Sequence, residues 1–304
     1  MQDNYQAQVD KPLVAAIDAG GTTFKCALIH EGEGIIAGTR VPTTTPDETL
    51  AACLQFFNNQ AAKGHHPTAM GIASFGPIDV DTASPNYGMI LNTPKRGWAS
   101  VNLKTYFESS LGIPVNINTD VNGALLAEMA WGAAQGVSSA AYVTIGTGIG
   151  AGFFANGGLI GKPSHPEFGH IHLKRHPEDS NFAGVCSFHR DCLEGLASAT
   201  SVTERFGSPA ELPADHIAWD IEAYYLAQAC SVISLTIRSE RIILGGGIML
   251  APHLIGKVRA AYLKLMCDYL LQTKSDIENL IVTPGHGDDA GLYGGARLAH
   301  SYCA

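Results

Sequence analysis

The sequence predicts an α/β protein made of two related halves, and three observations carry that prediction. The chain has 304 residues, more than a single domain usually holds, so two lobes are expected. Hydrophobic residues make up 46% and charged residues 15%, a composition that supplies a core and excludes a largely disordered chain. A strand–turn–strand pattern near the start also recurs in mid-chain. Aligning Ile17-Asp18-Ala19-Gly20 with Ile145-Gly146-Thr147-Gly148 puts two such units in comparable places, about 130 residues apart, as a duplicated fold would. Chance recurrence of Gly-rich hairpins is the competing explanation at this level.

Leu13 to Ile17 is a short apolar run that ends in Asp18-Ala19-Gly20-Gly21-Thr22-Thr23, a buried strand feeding a tight Gly-rich loop. Phe24 to Ile29 and Ile35 to Val41, joined by a Glu31-Gly32-Glu33-Gly34 turn, extend it into an antiparallel meander. Helical spacing follows over Thr49 to Lys63. Gly71 to Phe75 and Val115 to Asn118 are further strands, and Gly123 to Ala134, rich in Ala, Leu and Glu, is a helix. The second half opens with Ala141 to Ile145, turns through Gly146-Thr147-Gly148-Ile149-Gly150, and continues with Ala151 to Ala155. Ile221 to Ser239 and Leu254 to Leu271 carry helical patterns and flank Arg241 to Leu244, a buried strand ending in Gly245-Gly246-Gly247. Gly-rich turns and a short helix close the chain.

A formal charge of −9 argues against a surface that neutralises phosphates, so nucleic acid is not an expected partner. Met1 to Lys11 is polar, and no later stretch has about 18 uninterrupted apolar residues, so neither a secretory signal nor a membrane span is expected. The expected location is the cytoplasm. Seven cysteines are too few and too scattered for a disulfide framework. Cys26, Cys53, Cys230, Cys267 and Cys303 sit singly in apolar surroundings and are expected to be core thiols.

Three Gly clusters, each after a predicted strand, suit a nucleotide polyphosphate, because backbone N–H groups reach an anion where no side chain intervenes. None has the Gly-x-x-x-x-Gly-Lys-[Ser/Thr] pattern, and none matches a dinucleotide-binding fingerprint, so a different phosphate-binding fold is implied. Asp18, beside the first loop, is placed to hold Mg²⁺ through water or, more plainly, to cap the turn. Asp120 follows the Val115 to Asn118 strand, where strand ends open onto clefts, and is either a catalytic carboxylate or a helix N-cap. Cys186-x-x-His189-x-x-Cys192 brings three zinc-type donors within seven residues. A fourth would come from His165, His170, His172 or His176, and a site closed by four protein ligands is structural. Glu167, His170 and Glu194 are acceptors of the kind that a hydroxyl-rich ligand needs.

With these residues in view, the whole chain resembles the ROK sugar-kinase family, and within it the bacterial fructokinase branch. The resemblance spans Leu13 to Ala299. It rests on Asp18-Ala19-Gly20-Gly21-Thr22, Thr119-Asp120-Val121-Asn122-Gly123-Ala124, Ile145-Gly146-Thr147-Gly148-Ile149-Gly150, Glu167-Phe168-Gly169-His170, the cysteine–histidine cluster with Glu194, and Leu244-Gly245-Gly246-Gly247. It implies an actin-like, ribonuclease-H-like duplicated fold, with ATP in the cleft between two lobes. The lobes would be 1–119, with a closing helix at about 290–304 packing back on it, and 120–289, which carries the zinc site. By the same resemblance Asp120 is the catalytic base and Glu167, His170 and Glu194 bind sugar hydroxyls. His170 doubles as a zinc ligand with Cys186, His189 and Cys192. Asp18, Gly20, Gly21 and Thr22, Thr147 and Gly148, and Gly245, Gly246 and Gly247 form the phosphate and adenosine loops. A homodimer is also implied.

The departures from the family pattern bear on the substrate. Thr23 stands where a lysine is common, so any charge there must come from Lys25 or be absent. Thr119 replaces the Asn that usually precedes the base, and Thr93-Pro94-Lys95-Arg96 precedes Gly97-Trp98 where glucose-using members have Pro-Asn-Leu. The segment from Asn86 to Trp98, with Thr119, is therefore the expected specificity wall. The resulting expectation is phosphoryl transfer from MgATP to the 6-hydroxyl of fructose, with structural Zn²⁺. Mannose, glucose or N-acetylmannosamine are the alternative substrates. A sugar-responsive regulator is disfavoured, because only about ten residues precede the first strand and leave no room for a DNA-binding helix-turn-helix.

Overall fold

The structure, a computed structural model, describes residues 12–30, 34–93, 95–161 and 165–301. The polar stretch 1–11, the turn residues 31–33, Pro94, residues 162–164, and 302–304 with Cys303 lie outside the described residues. Contacts divide the chain into two units, 1–123 with 291–304, and 124–290.

In the first unit β1 (Leu13–Ala19) pairs antiparallel with β2 (Thr23–His30), and β2 with β3 (Gly34–Pro42). On its other edge β1 pairs parallel with β4 (Ala69–Ser74), and β4 with β5 (Val115–Thr119). The sheet order is β3-β2-β1-β4-β5. Side chains alternate along β1, as a strand period of two requires. Ala15, Ile17 and Ala19 enter a core with Phe24, Phe57, Ile72 and Phe107, while Val14 and Ala16 face the other way.

Two helices flank this sheet in sequence, α1 (Pro46–Ala61) and α2 (Leu103–Leu111). Helix α1 starts earlier than the expected Thr49 because the Thr45 hydroxyl accepts the Glu48 N–H and Pro46 occupies the first turn. Helix α2 was not expected. Asn102 caps it by accepting the Thr105 N–H at 2.9 Å, and Gly112 ends it with φ of +67°. Trp98 also corrects an expectation, because it is fully buried rather than a wall for substrate. It lies 5.4 Å from Phe24 and 5.6 Å from Phe75, and its Nε1 donates to Thr44 O.

Helix α3 (Asp120–Trp131) begins at Asp120 itself, three residues before the expected start. In the second unit β6 (Ala140–Ile145) pairs antiparallel with β7 (Ile149–Ala155), and β7 with β8 (Gly158–Leu159). It pairs parallel with β9 (Arg241–Gly245), which pairs parallel with β10 (Ile281–Val282). The order β8-β7-β6-β9-β10 repeats the wiring of the first sheet. The two strand–turn–strand units aligned in the sequence, β1–β2 and β6–β7, thus hold the same place in each sheet.

The helices after β8 are α4 (Leu193–Ala197), α5 (Ala199–Phe206), α6 (Ile217–Thr236), α7 (Leu254–Met266) and α8 (Lys274–Leu280). Helix α7 stops short of the expected Leu271 because Cys267 and Asp268 take left-handed backbone, at φ of +46° and +58°. That break leaves Cys267 exposed, which corrects its expected place in the core, whereas Cys26, Cys53 and Cys230 are buried. The closing helix α9 (Ala290–His300) packs Leu292, Ala296 and Ala299 against Val14, Ala16 and Ala69. Glycine makes this possible, since a Cβ on Gly71 would stand 1.9 Å from Gly295 O. Among the described residues no helix is long and apolar enough to cross a membrane.

Candidate functional site

In the first unit the pairing register places Asp18 directly opposite Lys25, and the Lys25 Nζ lies 3.6 Å from the Asp18 carboxylate. The cation missing at Thr23 is thus supplied next to Asp18 by the neighbouring strand. The loop that follows is braced rather than loose. The Thr43 hydroxyl donates to Gly20 O at 2.8 Å, the Thr43 N–H donates to Thr22 O at 2.9 Å, and Lys95 Nζ donates to Gly21 O. A Cβ on Gly291 would stand 2.4 Å from the Asp18 carboxyl carbon, so the first turn of α9 abuts that carboxylate.

Asp120 sits at the junction of β5 and α3, and its capping alternative resolves in favour of its neighbour. The Thr119 hydroxyl accepts the Asn122 N–H at 3.2 Å, while the Asp120 carboxylate accepts the adjacent Val121 N–H at 2.8 Å. Asn118 Oδ1 completes the turn, accepting from Thr119 N and Asn122 Nδ2 at 2.9 and 2.8 Å. Burial pushes the Asp120 carboxyl up to about 6, and the negative charge of Asp18 adds to the shift against the Val121 hydrogen bond. Asp120 is therefore a half-buried carboxylate that exchanges its proton near neutrality.

In the second unit the Thr147-Gly148 turn is held from two sides. The Glu194 carboxylate, in the first turn of α4, accepts the Ile149 N–H at 3.0 Å. It leaves no room at Gly148, where a Cβ would stand 2.5 Å from Glu194 Oε2. From the other side Ala199 N donates to Gly146 O at 2.7 Å and the Thr200 hydroxyl to Thr147 O at 2.8 Å. The Gly245–Gly247 turn needs glycine at its centre. Gly246 has φ of +90°, and a Cβ there would meet the Ile145 backbone at 2.4 Å.

The donors of His170, Cys186, His189 and Cys192 lie within 4.8 Å of one another. His170 Nδ1 is 3.7 Å from Cys186 Sγ and 3.6 Å from Cys192 Sγ, and His189 Nδ1 is 3.8 Å from Cys186 Sγ. A tetrahedral zinc with ordinary Zn–S and Zn–N bonds holds such donors roughly 3.6 Å apart, so these four residues fit the ion. Of the four candidate histidines, only His170 joins the cluster. His165 instead lies 3.6 Å from Glu167, and His176 accepts the Glu178 N–H. His172 backs onto Cys192 through a strand bridge. Burial pushes the Cys192 thiol up to about 11 in the metal-free chain.

The ROK family model matches residues 14–302. The chain belongs to the ROK family. It is 42% identical to a fructokinase of Zymomonas mobilis, covering 95% of this chain and 97% of that protein. It is 40% identical to a fructokinase of Streptococcus mutans, covering 96% and 99%. Among solved structures a ROK hexokinase from Thermus thermophilus superposes with a TM-score of 0.76 at 25% identity, covering 96% and 99%. The two like-wired sheets are the lobes of the actin-like, ribonuclease-H-like fold.

Two features of this ROK chain escaped the sequence reading. Glu167 is exposed and precedes a 3₁₀ turn, Phe168–His170, that carries His170 to the sulfurs. Only Gly169, where a Cβ would stand 2.0 Å from Ile149 O, hints at how closely that turn approaches β7. Glu128 is fully buried in α3, and its lone charge in the apolar run Ala124 to Ala130 was the available signal.

Proposed function

We propose that this chain is an ATP-dependent fructokinase that makes fructose 6-phosphate. The observation that carries the reading is Asp120, a strand-end carboxylate raised to about 6 whose helix is capped by Thr119 instead. The choice of fructose is supported by relatives named fructokinase at 37–42% identity over nearly the whole chain.

Asp120 takes the proton of the 6-hydroxyl as that oxygen attacks the terminal phosphorus of MgATP in line, the bond from that phosphorus to the bridging oxygen breaks, and ADP leaves with the electron pair. Positioning and charge neutralisation carry most of such a transfer. Asp18 would hold Mg²⁺, which would neutralise phosphate charge, and Gly20 to Thr22, Thr147 and Gly148, and Gly245 to Gly247 offer backbone N–H groups to the nucleotide. Glu167, Glu194 and His170 bind sugar hydroxyls. For Glu194 the free oxygen is Oε1, because Oε2 holds the Ile149 N–H. Thr119, expected to flank the sugar, is buried and caps α3 through the Asn122 N–H, so it holds the turn that carries Asp120.

Zinc held by His170, Cys186, His189 and Cys192 supplies no reaction chemistry here. When bound, it fixes the 3₁₀ turn to the 186–192 loop. His170, facing the sulfurs through Nδ1, then presents Nε2 to the sugar. The chain works in the cytoplasm as a homodimer in this reading.

A coupled ADP-release assay over a panel of hexoses tests the proposal. Fructose should be the best substrate. Preference for glucose, mannose or N-acetylmannosamine would overturn the substrate, and no ADP release with any hexose would overturn the reaction.

A further inference from the structure

We infer that Glu128 is a positioning residue for the nucleotide, through a loop that no motif in the sequence marks. Its side chain is fully buried in α3, and its carboxylate accepts three backbone N–H groups. Oε2 takes Ala133 N at 2.6 Å and Gly285 N at 3.0 Å, and Oε1 takes His286 N at 3.1 Å. A carboxylate provides acceptors only, and it is matched here by donors only. The fit leaves no slack, since a Cβ on Gly132 would stand 2.1 Å from Oε2 and one on Gly285 would stand 3.2 Å from it.

The residue before this pinned pair touches the third Gly-rich loop. A Cβ on Gly245 would meet Tyr142 Oη at 2.3 Å and Pro284 Cγ at 3.0 Å. Gly246 is pressed on the Ile145 backbone. The Gly245–Gly247 turn therefore has two walls, the β6 strand and the 284–286 loop, and Glu128 anchors the main chain of the second through two hydrogen bonds. Neighbouring charges do not explain the carboxylate, because its partners are all main chain. Its placement is explained by the need to hold one loop in register with another.

The inference rests on reading Gly245–Gly247 as part of the nucleotide site. Glu128→Gln turns one acceptor into a donor that faces an N–H, which should displace the 284–286 loop. The expected result is an ATP KM and a directly titrated MgATP Kd raised about tenfold, with the fructose KM and the kcat at saturating ATP within about twofold of wild type. Glu128→Asp, one methylene too short to span both sets of donors, should not restore ATP affinity. A purely structural role would lower the melting temperature and the active fraction without moving either KM, and that outcome overturns the inference. Should Glu128→Gln fail to fold, Gly285→Ala crowds the same carboxylate and should raise the ATP KM selectively. Its failure to do so likewise overturns the inference. A wild-type chain that bound no MgATP would overturn the reading of the loop, whereas wild-type binding with unaffected variants would overturn only the role of Glu128.

Discussion

At Asp120 the shift that suits a proton acceptor also costs stability. The folded carboxyl sits near 6, above its ordinary value, so stability is fully present below pH about 4 and declines as pH rises through 6. The rate runs the other way, because only the ionised form accepts a proton. Asp120→Asn should therefore cut kcat by about 10²-fold or more and abolish the acid limb of the kcat/KM profile near pH 6. It should also be more stable than wild type above pH 6, by on the order of 1–3 kcal/mol in unfolding free energy. Near-normal turnover in that variant would remove Asp120 from the chemistry. Glu222 presents the same physics without a function. It is buried in α6, neither carboxyl oxygen has a hydrogen-bond partner among the described residues, and burial, with the nearby Asp179, drives it well above its ordinary value against the pull of Arg205. Wild type loses stability as pH rises above the ordinary glutamate value, so Glu222→Met should raise the melting temperature at pH 8 by an increment that shrinks toward pH 4. An increment that is flat with pH would show that packing, not ionisation, is responsible.

The 186–192 loop has no helix or strand of its own beyond a Cys186–Arg190 bridge, and the four metal donors are placed to add to that order. Purified protein should contain about one zinc per chain, and Cys186→Ser or Cys192→Ser should lose both the metal and thermal stability, because binding and local folding are coupled. Stoichiometric zinc in both variants would relocate the site. His170→Asn should damage stability and the sugar KM together. The spacing Cys186-x-x-His189-x-x-Cys192 was legible because both cysteines and the histidine are local, whereas spacing left His170 one of four histidines and only the family resemblance singled it out. The same division runs through the fold. Strands β1, β6 and β9 could be read from apolar runs ending in glycine, since a buried strand and its tight turn are both written locally. Helices α2, α4, α5 and α8 could not. They are short, with caps such as Asn102 and Thr273 that resemble ordinary turn residues in sequence. The end of α7 was misread because Cys267 and Asp268 enter a left-handed backbone that glycine, not these residues, normally signals.

Across the whole molecule, specificity should follow the branch to which the chain is most similar in sequence. Purified protein should favour fructose over glucose by at least about tenfold in kcat/KM, because a hydroxyl that leaves a site group unpaired costs about 1–3 kcal/mol. Glucose preferred by that margin would overturn the branch and leave the kinase standing. Trp98 has left the list of residues that could discriminate, and Thr119, expected beside it, is equally buried, so the exposed residues Leu91, Asn92, Arg96 and Gly97 are the ones to exchange. The wiring also imposes a timetable on synthesis. Strands β1, β2 and β4 leave the ribosome early, but α9, whose Leu292, Ala296 and Ala299 cover Val14, Ala16 and Ala69, is translated only after residues 124–290. At ordinary elongation rates that gap lasts roughly ten to thirty seconds. Throughout it the nascent first sheet carries one bare apolar face, while the contiguous second unit completes its strands before α9 is made. The part of the chain that is made first is thus the part that can finish folding last, and the small residues along that face keep the surface awaiting its cover modest.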